Sequence, residues 1–251
     1  MSSSKFQIIP IENIPLIQKG DDVADILFTT LNKNRQEIHP GDILLISHKV
    51  VSKSEGSTYK LSELSPSPEA QAIAERTGQS QMKVEIALRE AASIIRKSPV
   101  LITKTKQGFI TDYSGVDQSN APDGTILTLP DDPDESANII HNEISKKVGF
   151  HVPVIITDTQ GRPWRKGAVN VAIGIAGMSP FINNAGIADL YGRSLRSSLV
   201  CIADEIASAA ELLMGQADER IPVIIVRGVS FEPQEGKATS IIRESSENLF
   251  S

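Results

Sequence analysis

Short, continuously apolar runs rich in Ile and Val recur along this chain, separated by segments in which apolar residues have helical spacing. The runs at 43–47, 154–156 and 221–226 show no polar alternation, which is typical of strands buried on both faces. The segments between them place apolar residues three and four positions apart, which indicates amphipathic helices. This succession of strands and helices predicts a mixed α/β fold.

The helical spacing predicts helices over about 22–32, 68–76, 80–95, 135–147 and 193–214. The last is expected to be the longest and to end at Gly215, a residue type that commonly terminates helices. Its buried stripe is expected to consist of Leu195, Leu199, Ile202, Ile206, Ala209 and Leu213. Shorter strands are expected at 100–104, 108–111, 127–129 and 169–176, of which the first two form a hairpin.

Three carboxylates, Asp131, Asp132 and Asp134, precede the fourth of these helices. Acidic residues stabilise the positive end of a helix, but such a group also resembles a metal site. Because the helix dipole is a sufficient reason for them, the capping interpretation is preferred. His141 on this helix and His151 beyond it have no partner at metal-ligand spacing.

The stretch 154–167 is where the residue types favour chemistry. Its apolar run is expected to end at Thr157, which places Asp158 and Thr159 at the C-terminal end of a strand. Three basic residues follow within a short distance: Arg162, Arg165 and Lys166. Hard oxygen ligands suit Mg²⁺ or Mn²⁺, and guanidinium groups match phosphate oxygens, so the stretch predicts a site for a metal-bound polyphosphate. A strand followed by a loop of solvated charges is the alternative.

Two other segments place polar groups after predicted strands. Residues 48–56 follow the strand at 43–47, and their Lys53 is suited to neutralising phosphate or to a plain surface position. The loop at 115–120 carries Asp117 and Asn120, but such clusters often form only Asx-turns.

Composition excludes several classes of protein. The 251 residues carry a net charge of −6, which argues against a nucleic-acid-binding surface, and no apolar stretch has the length of a membrane span. The single cysteine, Cys201, excludes an internal disulfide and is expected to be a small core residue rather than a nucleophile. No signal peptide is visible, so we expect a cytoplasmic protein without nucleic-acid or membrane partners. The common glycine-rich phosphate-binding motifs and the Gly-x-Ser-x-Gly elbow are absent from the sequence.

A series of short motifs nevertheless occurs in a fixed order. They are Ile-Pro-Leu-Ile at 14–17 with Gly-Asp-Asp at 20–22, Val-Val-Ser-Lys-Ser-Glu-Gly at 50–56, Gly-Val-Asp-Gln-Ser-Asn at 115–120, Leu-Pro-Asp-Asp-Pro-Asp at 129–134, Ile-Thr-Asp-Thr-Gln-Gly-Arg at 156–162, and Ala-Asp-Glu-Ile-Ala at 203–207 through Met-Gly at 214–215. Together they resemble the coenzyme F420 γ-glutamyl ligase family, and the resemblance covers about residues 8–228.

The resemblance implies a GTP-dependent ligase. GTP would phosphorylate the terminal carboxylate of a deazaflavin coenzyme precursor, and the amine of L-glutamate would attack the acyl phosphate. It also implies an unusual, family-specific α/β fold with mixed sheets and flanking helices, which forms a homodimer. We therefore expect one ligase domain at 1–228, with two closely packed subdomains as the alternative, and a C-terminal tail at 229–251.

The resemblance also implies site residues. Asp117 and Asp158 would be catalytic and would hold two Mg²⁺ or Mn²⁺ ions together with Thr159 and Gln216, with K⁺ as a further candidate ion. Gln216 stands where some relatives carry Glu, which predicts a weaker second metal site. The GTP contacts would be Ile14, Pro15, Leu16, Ile17, His48, Lys49, Lys53, Asn120, Met214, Gly215, Gln216, Ala217, Asp218, Glu219, Arg220 and Ile221.

Two departures from the family pattern concern the acceptor. Tyr113 and Ser114 stand where relatives commonly have Asn-Ala, and the loop 182–188 lacks the aromatic residue or Arg that relatives tend to carry. Both segments are expected beside the acceptor site. The alternatives to the leading function are an amide ligase of the same mechanism acting on a different small carboxylic acid, and a nucleotide-binding homologue that has lost catalysis.

Overall fold

The computed structural model describes residues 5–249. Residues 1–4 of the expected ligase domain and residues 250–251 of the expected tail lie outside this part of the chain.

The strands are β1 (Gln7–Pro10), β2 (Ile43–Ser47), β3 (Thr58–Lys60), β4 (Ala91–Arg96), β5 (Ile102–Thr105), β6 (Ile110–Asp112), β7 (Thr125–Leu127), β8 (Val154–Arg162), β9 (Arg165–Ala176), β10 (Ile182–Asn183), β11 (Leu199–Val200) and β12 (Val223–Arg227). The α-helices are α1 (Val23–Asn34), α2 (His48–Glu55), α3 (Pro68–Thr77), α4 (Gln81–Glu90), α5 (Pro133–Val148) and α6 (Ile202–Met214). Short 3₁₀ turns occupy Leu61–Glu63, Tyr113–Gly115, Ala238–Ile241 and Ser245–Glu247.

A mixed sheet with the strand order β1-β12-β2-β8-β9 forms the centre of the molecule. Only the β2–β8 pair is parallel; the other neighbours are antiparallel. Successive residues Leu44 and Leu45 of β2 are both buried although they point to opposite faces, so the sheet is covered on both sides. Helices α5 and α6 pack on β9, and α1 packs on α5. We call the buried cluster around this sheet the main core.

A second buried cluster lies apart from the main core in the contact pattern. It consists of Leu64, Ala70, Ile73, Ala74, Val84, Ile86, Ala87, Leu101, Tyr113, Val116 and Ile126. We call this cluster the second core; α3, α4 and the antiparallel sheet β4-β5-β6 surround it. The class of the fold is thus confirmed as mixed α/β with mixed sheets and several helices. The division into one ligase domain or two subdomains stays a prediction, as do the dimer and the family-specific character of the fold.

Several elements agree with the sequence. The strand at 43–47 has the predicted bounds, and the predicted hairpin is β5–β6. Asp22 caps α1 by accepting a hydrogen bond from the Asp25 amide at 2.9 Å. Gly215 ends α6. These signals are local in sequence, and here the tertiary structure leaves them intact.

The helix predicted over 80–95 is wrong in its last five residues. Helix α4 ends at Glu90, and Ala91–Arg96 forms β4 instead. The β-branched Ile94 lies opposite Thr103 of β5, and this pairing satisfies backbone groups that a further helical turn would have satisfied within itself. The apolar spacing of residues 91–95 is compatible with a helix or a strand, and pairing with β5 stabilises the strand.

The helix predicted over 193–214 is also wrong at its start. Helix α6 begins at Ile202, and α5 is the longest described helix, with 16 residues against 13. Residues 182–200 instead form an arm in which β10 and β11 pair with each other. Leu195 and Leu199 are exposed on this arm, so they do not belong to a buried stripe. The stripe that α6 does bury consists of Ala203, Ile206, Ala207, Ala210 and Met214.

The carboxylates before α5 have separate tasks. Asp132 caps the helix by accepting a hydrogen bond from the Glu135 amide at 3.0 Å, which confirms the capping interpretation for this residue. The buried Asp134 accepts hydrogen bonds from the amides of Ile175 at 2.9 Å and Ala238 at 2.7 Å. Asp134 thereby attaches the C-terminal segment to β9, and Ala238 is buried in the main core.

Candidate functional site

A cavity of about 620 Å³ opens beside the C-terminal end of β2. Its walls include every residue for which the family resemblance implies a metal or GTP contact. Further wall residues are Ser47, Val50, Thr157, Asn170, Glu211 and Pro222. Residues separated by up to about two hundred positions in the sequence thus share one concave surface, while their roles stay predictions.

The parallel pair β2–β8 creates this position. Ser47 pairs with Thr157, so the two strands run in the same direction and reach the cavity together. Ligand sites in α/β sheets commonly lie at such carboxyl ends. After Ser47 the chain turns directly into α2, so His48 and Lys49 stand at the start of a helix beside the cavity.

The N-terminal end of α2 makes this wall electropositive. Ser47 precedes the helix without capping it by its side chain, so the first-turn amides of His48 and Lys49 remain without a side-chain acceptor at that position. Lys53 also lines the cavity, and burial, followed by the charge of Lys49, lowers its pKa. A helix N terminus with two lysines is suited to binding phosphate oxygens.

Asp158 lies on the floor of the cavity beside His48. The two side chains are almost fully buried, and Asp158 Oδ1 is 3.4 Å from His48 Nε2, which makes no hydrogen bond within the described residues. Burial raises the pKa of Asp158 to about 7. Burial, followed by the charge of Lys49, lowers the pKa of His48 to about 4. A neutral imidazole does not neutralise the carboxylate, so a cation bound here would stabilise its ionised form.

Asp117 enters the cavity from the second core in a different setting. Its carboxylate is 2.7 Å from Lys49 Nζ and accepts hydrogen bonds from the Ser119 amide at 2.7 Å and the Ser119 hydroxyl at 2.9 Å. Burial by itself would raise the pKa of Asp117, but Lys49 and Ser119 together hold it below its ordinary value. The hydrogen bond from the Ser119 amide forms an Asx-turn, the alternative noted for this loop, and Asp117 also lines the cavity. Asn120, in the same loop as Asp117, donates a hydrogen bond to the Ala217 carbonyl at 3.0 Å and so joins this loop to the one that follows α6.

A ring of hydrogen bonds forms another wall. Thr159 Oγ1 donates to Asn170 Oδ1 at 2.8 Å, and Asn170 Nδ2 donates to Glu211 Oε2 at 2.7 Å. Gln216 Nε2 closes the ring by donating to Glu211 Oε1 and, at 2.7 Å, to Thr159 Oγ1. Sequence reasoning missed Asn170 and Glu211. Asn170 is recognisable only once β9 is paired with β8, where it lies opposite Thr159.

The donor set fits a hard divalent cation. Asp117, Asp158, Thr159 and Gln216 offer carboxylate, hydroxyl and amide oxygens around one cavity. Within residues 5–249, no group of three or more His, Cys, Asp and Glu side chains is placed to hold a metal ion. Mg²⁺ usually binds through one or two carboxylates together with water and substrate phosphates, and Asp117 and Asp158 are two such carboxylates.

The basic residues that follow Asp158 lie elsewhere, which corrects the phosphate interpretation of the stretch 154–167. Strand β8 does not end at Thr159 but continues to Arg162, because its polar end pairs with β9. Arg162, Arg165 and Lys166 are therefore at the tip of a hairpin and do not line the cavity. Arg162 donates to the Lys166 carbonyl at 2.9 Å and so supports the turn.

The two departures from the family pattern also lie outside the cavity walls. Tyr113 and Ser114 are buried in and beside the second core, where the Ser114 hydroxyl donates to the Ala87 carbonyl at 2.7 Å. The loop 182–188 belongs to the arm. Neither segment lines this cavity in a single chain, and their place beside the acceptor site stays a prediction.

Other reactive side chains have structural settings. Cys201 is half-buried at the start of α6, so it is not the fully buried core residue that was expected. Burial raises the pKa of its thiol to about 12. A thiol in this state is a poor nucleophile at neutral pH.

The two histidines near α5 contact backbone carbonyls. His141 Nδ1 lies 2.7 Å from the Val152 carbonyl, and His151 Nε2 lies 2.6 Å from the Gly177 carbonyl. In residues 5–249, no helix combines the length and apolar character needed to cross a membrane.

Comparison with known proteins adds independent information. The model of the F420-0:gamma-glutamyl ligase family matches residues 12–228. The chain is 47% identical over 248 residues to the coenzyme F420:L-glutamate ligase of Methanopyrus kandleri, covering 96% of each chain. It is 46% identical over 222 residues to the protein of that name from Methanothermobacter thermautotrophicus, covering 88% of each chain. A third such ligase, from Archaeoglobus fulgidus, is 38% identical over 98% of this chain and 96% of its own.

Proposed function

Since the chain belongs to the F420-0:gamma-glutamyl ligase family, we propose that it is a GTP-dependent ligase that joins L-glutamate to the deazaflavin precursor of coenzyme F420. The names of its relatives support the ligase activity and the coenzyme F420 substrate class. GTP dependence, an acyl-phosphate intermediate and a requirement for Mg²⁺ or Mn²⁺, with K⁺ as an additional ion, are the finer parts of the proposal.

The proposed reaction has two steps. A carboxylate oxygen of the precursor bonds to the γ-phosphorus of GTP while the bond to the β–γ bridging oxygen breaks, which releases GDP. The glutamate amine then attacks the acyl carbon, phosphate leaves, and the amine proton passes to water. Divalent cations would supply charge neutralisation for the transferring phosphoryl group. The wall of α2 with Lys49 and Lys53 would hold phosphate oxygens, and positioning would provide most of the acceleration.

The observation that carries this proposal is that cationic and anionic groups line one cavity. The start of α2, Lys49 and Lys53 form a cationic wall, while Asp117 and Asp158 provide hard anionic oxygens. No activated protein nucleophile is needed for such a transfer. The buried Ser52 hydroxyl lies 3.2 Å from His48 Nδ1, but Ser52 does not line the cavity.

The preference for GTP over ATP rests on family membership, because no guanine-reading motif is visible in the sequence. Side-by-side calorimetric titration with Mg²⁺ is expected to give a clearly lower Kd for GTP. Chelation of the metal should abolish binding. Equal affinity for both nucleotides would contradict the GTP assignment, and equal affinity without metal would contradict the metal assignment.

We further propose that the protein acts as a cytoplasmic homodimer with small-molecule substrates and without nucleic-acid or membrane partners. The arm at 182–200 supports the dimer, because Ile187, Leu190, Tyr191 and Leu199 expose large apolar surfaces on it. Exposed large apolar side chains on one short arm suit a protein–protein contact, and a second copy is the partner that a homodimer supplies. Sedimentation should give a dimer that Leu190→Asp dissociates; a wild-type monomer would refute the assembly.

Incubation of the protein with GTP, Mn²⁺, L-glutamate and the deazaflavin precursor tests the activity directly. Mass spectrometry should detect product increased by one or more glutamyl units. Asp158→Asn should form product about 10³-fold more slowly. Asp123→Asn, which changes an exposed carboxylate outside the cavity, should form it at the wild-type rate. Normal GTP binding without product would favour an amide ligase for another small acid. GTP binding without turnover on any tested acid would favour a homologue that has lost catalysis.

A further inference from the structure

The second proposed metal site lacks a charged ligand. Gln216, the residue implied for this site, is neutral, and so is the Thr159 hydroxyl that lies 2.7 Å from Gln216 Nε2. Oxygen sites for divalent cations gain affinity with the number of anionic ligands, so two neutral side chains make a weak site. The residues around this pair therefore decide whether the chain can hold a second ion.

Glu211 supplies the missing charge at the right place. Its carboxylate lies in the cavity wall between Asn170 and Gln216, at 2.7 Å from Asn170 Nδ2 and in contact with Gln216 Nε2. Gln216 is at the same time 2.7 Å from Thr159 Oγ1. Thr159, Glu211 and Gln216 thus converge on one point from β8, α6 and the loop that follows α6.

The hydrogen bonds leave room for a cation. An ionised carboxylate has about four acceptor positions, and Glu211 uses two of them for the amides of Asn170 and Gln216. Turning the Gln216 amide by half a rotation places its carbonyl oxygen where its nitrogen now stands. The three side chains then present carboxylate, hydroxyl and carbonyl oxygens to the same point, which is the oxygen chemistry that Mg²⁺ and Mn²⁺ favour.

Asn170 holds this arrangement in place. It is 3% exposed on β9, it accepts from Thr159, and it donates to Glu211. Asn170 therefore fixes the distance between Thr159 on the sheet and Glu211 on α6. The neighbouring Glu219 accepts from the Ala217 amide at 2.8 Å, and its carboxylate is not part of the hydrogen-bonded ring that joins Thr159, Asn170, Glu211 and Gln216.

We propose that Glu211 is the charged ligand of a divalent cation that Thr159 and Gln216 also bind, and that Asn170 is the positioning residue of this site. The proposal rests on the metal requirement of the proposed function. It assigns to α6 a direct part in metal binding, through a residue for which neither the sequence nor the family resemblance implied a role.

Binding of Mn²⁺ alone tests the assignment without any turnover. Electron paramagnetic resonance of free Mn²⁺ measures the stoichiometry and the affinity of the metal for the full chain. The wild type should bind two ions per chain, and Glu211→Gln should lose one of them or bind it at least about tenfold more weakly. Glu205→Gln is the matched control, because Glu205 is an exposed acid on the same helix outside the cavity.

Two further variants separate ligation from stability. Glu211→Asp keeps the charge and should retain both ions, and Asn170→Ala should keep two ions but weaken one by about tenfold. Two ions with wild-type affinity in Glu211→Gln would overturn the assignment. Equal loss of binding and of metal-free melting temperature in both Glu211 variants would also overturn it, since the residue would then be structural. A wild type that binds two Mn²⁺ ions but forms no product would refute the proposed substrate while leaving this site intact.

Discussion

The main core brings Asp158 to the cavity and the second core brings Asp117, and the two carboxylates lie in opposite environments. Asp158 is on the floor, beside a neutral imidazole, and its pKa is raised to about 7 by burial. Asp117 lies in a loop, paired with Lys49 and Ser119, and its pKa is lowered. The same residue type therefore lacks a compensating charge on one side of the cavity and has one on the other.

This difference indicates a division of labour. No cationic side chain neutralises the buried Asp158 carboxylate, so metal binding should depend on this residue most strongly. Asp117 already has a cationic partner, so a metal ion there would share the carboxylate with Lys49 or displace it. The loop of Asp117 also reaches the opposite wall through the Asn120–Ala217 hydrogen bond. The loop beside the second core thus contributes Asp117, a proposed metal ligand, and Asn120 to the cavity walls.

The largest expected effect is that of Asp158→Asn. Loss of the uncompensated carboxylate should lower kcat/KM by about 10³-fold, in the range found when one group that stabilises a transition state is removed. Folding should be preserved, because a neutral amide suits a buried position at least as well as a charged group does. Steady-state kinetics and metal-free thermal melting check both statements. A variant that unfolds would mean that Asp158 is structural.

A smaller loss is expected for Asp117→Asn, about 10²-fold in kcat/KM, because Lys49 remains to neutralise phosphate. Freed from its partner at 2.7 Å, Lys49 should compensate in part for the lost ligand. The same kinetic assay, with Asp123→Asn as the control in the neighbouring loop, measures this effect. A loss equal to that of Asp158→Asn would remove the proposed division of labour between the two carboxylates.

Matched substitutions in the two cores should cost about 1 kcal/mol each in the free energy of unfolding. Ile155→Val removes one methylene from the main core, and Ile126→Val removes one from the second core; both side chains are fully buried. Because Lys49–Asp117 and Asn120–Ala217 join the cores, we expect one cooperative transition that both variants shift. Circular dichroism during urea unfolding would reveal two separate transitions if the cores were independent.

The smallest effect is expected at the hairpin tip. Replacing Arg165 and Lys166 together with Ala should change the Kd for GTP by less than about twofold, since neither side chain lines the cavity. Calorimetric titration compares this double variant with Lys53→Ala, which removes a cation from the cavity wall. A strong loss at the tip would mean that nucleotide binds outside the cavity beside β2.

The sequence by itself determined the elements whose signals are local. The buried strand at 43–47, the Asp22 cap and the Gly215 stop depend on neighbouring residues, so their patterns survive folding. The motifs also identified a set of residues that the fold gathers around one cavity. Such motifs identify residues without any knowledge of distance, which is why residues as far apart as Ile14 and Gln216 could be grouped in advance.

Only the tertiary structure decided what depends on pairing and burial. Ala91–Arg96 became a strand because β5 offered backbone partners, and β8 carried Arg162 away from the cavity because β9 paired with its polar end. The settings of Asp117 and Asp158, and the place of Glu211 beside Gln216, follow from contacts between elements distant in sequence. Apolar spacing and motif order contain no information on such contacts, since desolvation and hydrogen bonding arise only once the chain is packed.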